Sequence, residues 1–333
     1  MGNLIVSFSP HAHGNDSVQK NMYGVIIALI PALLVSFYYF GLGSVIVCAT
    51  SVIACILFEW AISKFIMGVE RTTVCDGSAA LTGLLLGMNL PSNLPIWMII
   101  VGALIAIGVG KMSFGGLGQN PFNPALVGRC FLLVSFPTAM TTWPKIGQLT
   151  AYADAETGAT PLSLMKRAIK GEDVLDQLPS SIDMLLGNPG INNGAGTIGE
   201  ICALALLIGL AYMLWKKIIS WHIPVSIIGT VFVLAGIFWL CDSKTYADPF
   251  QVIFAGGLML GAIFMATDYV TSPMCAKGQI IYGVSIGVLT VVIRNWGAYP
   301  EGMSFAILIM NAFTPLINMY TKPKRFGEVP ETK

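Results

Sequence analysis

MYGVIIALIPALLVSFYYF, residues 22–40, is an uncharged apolar run of 19 residues. A helix needs roughly 20 such residues to cross the hydrocarbon core of a bilayer. The reading repeats outward from it. Four more apolar segments precede residue 138, at 43–63, 79–90, 95–110 and 125–136, and five follow residue 196, at 197–215, 223–241, 250–267, 280–293 and 303–320. Segments 79–90 and 125–136 are short, and read as half-helices or as helices extended by neighbouring polar turns. The chain is 55% hydrophobic and 11% charged, with a mean hydropathy of +0.75. Soluble domains carry about 25% charged residues. A chain of this composition cannot hide its apolar surface in water. The sequence therefore predicts an all-α, polytopic membrane protein of about ten transmembrane helices, with lipid as its solvent. A net charge of +1 gives no basic field for nucleic acid. Residues 1–21 are polar and lack a signal-peptide pattern.

Lysine and arginine placement orients the chain. With the N-terminus in the cytoplasm, ten crossings collect Lys20, Lys64, Arg71, Lys111, Lys216, Lys217, Lys277, Lys322, Lys324, Arg325 and Lys333 on the inner side. Short outer connections keep Lys244 and Arg294. The expected layout is a cytoplasmic lead (1–21), a first five-helix unit (22–137), an extracytoplasmic loop (138–196), a second five-helix unit (197–320) and a cytoplasmic tail (321–333). An odd number of spans per unit inverts the second copy. Asp76-Gly77 and Asp248-Pro249 precede the third segment of each half, so the layout reads as an inverted repeat. Such folds place their sites where broken helices expose backbone. The glycines inside the segments, among them Gly256, Gly257 and Gly261, read as close helix packing.

Four polar stretches interrupt the apolar pattern. Ser9-Pro10-His11 with His13 reads as a docking lead-in; no carboxylate or cysteine cluster supports a metal there. GGLGQNPFNPA, residues 115–125, contains two Asn-Pro steps that disfavour helix, so it is a turn or a re-entrant break. Its backbone amides, with the side chains of Asn120 and Asn123, suit a polar heteroaromatic ring or an ion. Arg129 follows inside an apolar segment, where a lone arginine implies a phosphate or carboxylate partner. In TDYVTSP, residues 267–273, Asp268 is a cation ligand, an acceptor for a ring N–H, or a turn cap. Glu59 and Glu200 are further candidates for ion handling. In the loop, DAETGATPL (154–162) leaves little bulk before Thr160, and Pro161 biases Thr160 away from helix. That hydroxyl is either accessible to a modifying enzyme or simply begins an amphipathic helix over Leu162–Ile169. None of the seven cysteines forms a C-x-x-C pair. They read as small hydrophobes, with a lesser possibility of an iron–sulfur site shared with another subunit at Cys75, Cys130 or Cys275.

On these motifs the chain resembles the NqrB/RnfD family of membrane subunits in ion-translocating electron-transport complexes. The resemblance covers nearly the whole chain: Ser9-Pro10-His11, GGLGQNPFNPA, TD-x-x-TSP and D-x-x-[ST]-G-A-T. The length favours the RnfD branch, because NqrB-like proteins have a longer N-terminal region. The resemblance implies two five-helix inverted repeats with a urea-transporter-like fold. It implies FMN joined covalently through its phosphate to Thr160, with Thr157, Gly158 and Ala159 completing the attachment motif. It also implies a second, non-covalent flavin (riboflavin or FMN), sought near Asn120, Asn123, Arg129, Asp268 and Thr271. The implied setting is the bacterial inner membrane, in a complex with the membrane subunits RnfA and RnfE, the FMN subunit RnfG and the soluble subunits RnfC and RnfB. No nucleotide fingerprint or cysteine cluster motif is present, so electrons would come from those partners. The rival reading is a channel or transporter for a small polar solute, which has no need of D-x-x-T-G-A-T.

Overall fold

The computed structural model describes residues 16–68, 73–152, 155–187 and 196–322. Ser9-Pro10-His11, His13, Arg71, Asp154 and the tail beyond Lys322 lie outside the described residues. The fold is predominantly helical. Six helices are long and apolar enough to cross a membrane: Val18–Phe40 (α1), Leu42–Ile66 (α2 and a closing π-turn), Ile96–Phe114 (α4, continued by a π-turn and a final 3-10 turn), His222–Cys241 (α10), Ala276–Trp296 (α13) and Met303–Tyr320 (α14). Ser78–Met88 (α3), Pro124–Ser135 (α5) and Ala203–Trp215 (α9) are shorter apolar helices.

The distribution of side chains is inside out. Leu34, Tyr38 and Leu240 are exposed, while Ser44, Ser51, Glu59, Lys111, Arg129 and Arg294 are buried. That pattern fits a lipid solvent, which makes exposure cheap for leucine and burial obligatory for charge. Lipid gives helices no hydrophobic reason to associate, so close packing of small residues has to hold them. The structure places glycine at the main crossings. A Cβ on Gly83 would lie 2.7 Å from the Val52 Cα, where α3 meets α2. One on Gly209 would lie 2.4 Å from the Ala28 carbonyl, where α9 meets α1. One on Gly287 would lie 2.7 Å from the Thr230 Cβ, where α13 meets α10.

Several boundaries differ from the hydropathy reading. Helix α1 begins at Val18, inside the expected polar lead, because Ser17 accepts a hydrogen bond from the Lys20 N–H and caps it. Helix α9 begins at Ala203, after an irregular stretch from 197. Segment 250–267 is broken: Pro249–Phe254 (α11) stops at Ala255, and the chain restarts with Leu258–Leu260 (α12) and a π-turn over Gly261–Met265. Gly256 sits at φ +68°, a conformation costly for any residue with a Cβ. Gly256 and Gly257 thus interrupt a helix rather than merely easing its packing. Cys75 and Cys241 are exposed, while Cys48, Cys55, Cys130 and Cys202 are buried.

The loop contains three short helices, Pro137–Thr141 (α6), Pro161–Ile169 (α7) and Ser181–Leu186 (α8). It also carries a two-residue antiparallel ladder, Trp143–Pro144 (β1) with Thr157–Gly158 (β2). The ladder is clasped to the helical body. Gly147 N–H donates to the Tyr39 carbonyl at 3.0 Å, and Leu42 N–H donates to the Leu149 carbonyl at 2.8 Å. Both contacts fall at the elbow between α1 and α2, where Gly41 takes φ +58°.

Candidate functional site

The attachment motif rises to the surface and then descends. Thr157 and Ala159 are exposed, Gly158 is partly buried, and Thr160 is 6% exposed. Thr160 takes an extended conformation and caps α7, with Pro161 at the first helical position, as the sequence anticipates for the stretch after Thr160. Its Oγ1 accepts from the Ser163 N–H at 3.1 Å, and Ser163 Oγ donates to the Thr160 carbonyl at 2.7 Å. Lys166, one turn on, donates to the carbonyls of Gly297 at 2.5 Å and Ala298 at 2.9 Å, pinning α7 to the end of α13. Burial, then the neighbouring Lys170, pulls the Lys166 ammonium below its usual range.

Beneath Thr160 lies a cavity of about 180 Å³ that Glu200, Tyr299 and Glu301 also line. Its floor is charged. Arg129, 3% exposed on α5, donates through Nη1 to Asn89 Oδ1 at 3.0 Å and Ser304 Oγ at 2.6 Å, and through Nη2 to Glu301. Of the partners the sequence allows Arg129, the structure supplies a carboxylate. Arg294, in the last turn of α13, donates to the carbonyls of Val252 at 2.7 Å and Ala255 at 2.8 Å. It is buried rather than part of an outer connection, and it takes the backbone acceptors released where α11 ends. Sequence reasoning assigned Glu301 and Ser304 no role and treated Arg294 only as a topological charge. Their partners are 39 to 175 residues away in the chain, beyond any local pattern.

A second cavity lies at the other end of α1, lined by Asn21 and Met22 of its first turn together with Lys111, Asn120, Asn123 and Asp268. The structure therefore brings Asn120, Asn123 and Asp268 together. Thr271 stands behind them, its Oγ1 donating to Asp268 Oδ2 at 3.0 Å. Arg129 does not join this group. Asn123 is engaged at both ends: Oδ1 accepts from the Ala125 N–H at 3.1 Å and caps α5, and Nδ2 donates to the Met265 carbonyl at 3.1 Å. Lys111, counted above among the inner charges, is 2% exposed and donates to Glu59 Oε2 and Ser78 Oγ, each at 2.6 Å. Glu59 thus has a cation partner within the fold.

Exposed apolar helix faces and buried ion pairs define a multi-pass membrane protein. The family is specific: residues 5–327 match the model of the NQR2, RnfD, RnfE family, and the chain belongs to it. At 46% identity over 98% of this chain and 96% of the relative, it is similar to the D subunit of the Na(+)-translocating ferredoxin:NAD(+) oxidoreductase complex of Acetobacterium woodii. At 44% identity over 97% and 96%, it is similar to the D subunit of the proton-translocating ferredoxin:NAD(+) oxidoreductase complex of Clostridium ljungdahlii. At 36% identity over 97% and 98%, it is similar to the D subunit of the ion-translocating oxidoreductase complex of Erwinia tasmaniensis.

Proposed function

We propose that this chain is the flavin-bearing membrane subunit of an ion-translocating ferredoxin:NAD(+) oxidoreductase complex, with FMN joined to Thr160 by a phosphoester. The placement of Thr160 carries the reading. Its hydroxyl caps the nine-residue helix α7, and the residue lines a cavity. A helix N-terminus offers free N–H groups and a positive dipole end, both favourable to a phosphate. The cavity, at about 180 Å³, is smaller than the roughly 300 Å³ of typical small-ligand pockets. It has room for a phosphoryl group and not for a whole flavin nucleotide. Bound there, the flavin would supply one-electron carriage, while the chain would supply position and access.

The scaffold reading is ten spans in two inverted five-helix repeats, with loop 138–196 on the extracytoplasmic side of the bacterial inner membrane. Helix pairings support it. The first helices of the two halves, α1 and α9, pack together, as do the last, α5 and α14. Within each half the second helix carries the third and fourth: α2 packs on α3 and α4, and α10 on α11 and α13. Asp76 accepts from the Ser78 N–H at 2.8 Å at the start of α3, and Asp248 forms a capping box with Gln251 at the start of α11. The cavity holding Asn120, Asn123 and Asp268 is the candidate place for a second, non-covalent flavin. At about 70 Å³ it would have to open to admit one. Electrons would arrive from and leave to the complex's other subunits, of the RnfA, RnfE, RnfG, RnfC and RnfB types.

The test is in-gel flavin fluorescence and peptide mass of the complex matured in a host with its flavin-attaching enzyme. Wild type should show a fluorescent band and a modified 154–170 peptide, and Thr160→Val should show neither. An unmodified Thr160 in wild type would overturn the flavin assignment and favour a solute channel.

A further inference from the structure

The wall of the Thr160 cavity includes an indole with no ring to pack on. The chain has seven tryptophans. Among the described residues, five of them pair with another ring. Trp239 lies exposed on the membrane-spanning α10. Trp143 differs from all of these: it is half-buried, has no ring partner among the described residues, and lines the cavity with Thr160. The other aromatic side chain in that wall, Tyr299, is already stacked on Phe305, with centroids 6.0 Å apart and planes at 19°.

The two-residue ladder explains where Trp143 sits and why it is uncovered. It sets Trp143 directly opposite Gly158. Directly opposed residues of an antiparallel pair project to the same face, where their side chains normally cover each other. Gly158 has no side chain, so the indole receives no cover from across the ladder. Side chains two apart in an extended chain also share a face. Thr160 is extended and lies two residues beyond Gly158. Trp143, Gly158 and Thr160 therefore belong to one face, and all three line one cavity. Hydrogen bonds hold the ladder in register. Lys145 N–H donates to the Glu156 carbonyl at 2.8 Å, and the Gln148 side chain exchanges two bonds of 2.9 Å with the Glu156 backbone.

A phosphoryl group on Thr160 fills much of a cavity of about 180 Å³. The isoalloxazine ring, at the far end of the ribityl chain, must then lie beyond the rim. The flat face available there is the indole, and aromatic rings favour offset stacking. We propose that Trp143 is the stacking residue for the ring of the Thr160-linked FMN, and that Gly158 leaves the indole open to receive it. The inference rests on the flavin reading above and adds to it the residue that holds the ring.

The experiment uses the purified complex, matured in a host with its flavin-attaching enzyme, as wild type, Trp143→Leu, Trp143→Phe and Thr160→Val. In-gel fluorescence of the denatured chain reports attachment alone, because unfolding parts the ring from the indole. Transient absorption of the native complex after flavin excitation reports contact. An indole touching the ring passes one electron to the excited flavin and recovers it in the dark, with no net change, and the oxidised tryptophan has its own absorption band. Subtracting the Thr160→Val signal removes the contribution of every other flavin. Wild type should show the tryptophan radical, and both Trp143 variants should lose it while keeping the gel band. Phenylalanine keeps a flat ring that flavin does not oxidise, so loss in that variant reports the indole rather than a disturbed loop. A wild type with the gel band but no radical, or a Trp143→Leu variant that retains the radical, overturns the stacking and leaves flavin attachment standing. Loss of the gel band in Trp143→Phe also overturns it, by giving the residue to attachment instead. Absence of the gel band in wild type overturns both readings.

Discussion

The third segment of each half begins in the same way and ends differently. In the first half, α3 runs unbroken from Ser78 to Met88. In the second, the helix stops at Phe254 and restarts at Leu258. Each half also buries a cation toward the end of its fourth segment, Lys111 in one and Arg294 in the other. Their solutions follow from the third segment. Where the helix is continuous its carbonyls are already bonded, so Lys111 turns to a carboxylate, Glu59, and to the Ser78 hydroxyl. Where the helix is broken, the Val252 and Ala255 carbonyls are free, and Arg294 takes both with its two terminal nitrogens. A planar guanidinium reaches the two carbonyls with separate nitrogens, where an ammonium would have to bring both to a single atom. The same break leaves room for the Glu200–Glu301 cluster. One half keeps its third segment as a continuous helix, and the other interrupts it and uses the released carbonyls to hold an arginine.

The largest test of this comparison removes a cation from the closed half. Lys111→Ala takes the cation away from the buried Glu59 carboxylate, and stability in detergent should fall by about 3–5 kcal/mol. Lys111→Met combined with Glu59→Gln should recover much of that loss in the same thermal assay. In the open half, Arg294→Lys keeps the charge but not the fork. The expected cost is smaller, about 1–3 kcal/mol, for carbonyls left without a donor. Gly256→Ala should cost about 1–2 kcal/mol, because a Cβ there has positive φ and lies 3.0 Å from Arg294 Nη2. The smallest effect belongs to the loop. Thr160→Val removes the cap of α7 and should lower thermal stability by about 1 kcal/mol in protein lacking flavin, whereas Thr160→Ser should be nearly neutral. If Lys111→Ala and Arg294→Lys cost the same, the two halves are not solving different problems.

Hydropathy located helix in all ten apolar segments, because a span of leucines and valines has few other structures open to it in lipid. Proline and threonine chemistry likewise located the start of α7. The break at 255–257 was hidden: Ala-Gly-Gly is as apolar as its flanks, and glycine serves packing and interruption equally well. The partners of Arg129, Lys111 and Arg294 were hidden for another reason. A sequence shows that a buried charge needs an answer, but not which distant residue gives it. Arg129 illustrates both sides, since its need for an anion was legible and Glu301, 172 residues away, was not. Asn120, Asn123 and Asp268 were grouped only through the family resemblance, which also placed Arg129 with them, whereas the structure puts Arg129 elsewhere.

The clasp at Gly41 bears on how the loop could be moved between proteins. A Cβ at this position would lie 2.2 Å from the Leu149 carbonyl oxygen and 2.4 Å from its Cα. One of the residues that fix where the Thr160-bearing loop sits is therefore more than a hundred positions upstream, in an elbow between two spans. A loop transplanted without that elbow would carry its motif but not its address. Any side chain at residue 41 would act like a wedge in a hinge, shifting the threonine relative to the membrane without touching the residues around it.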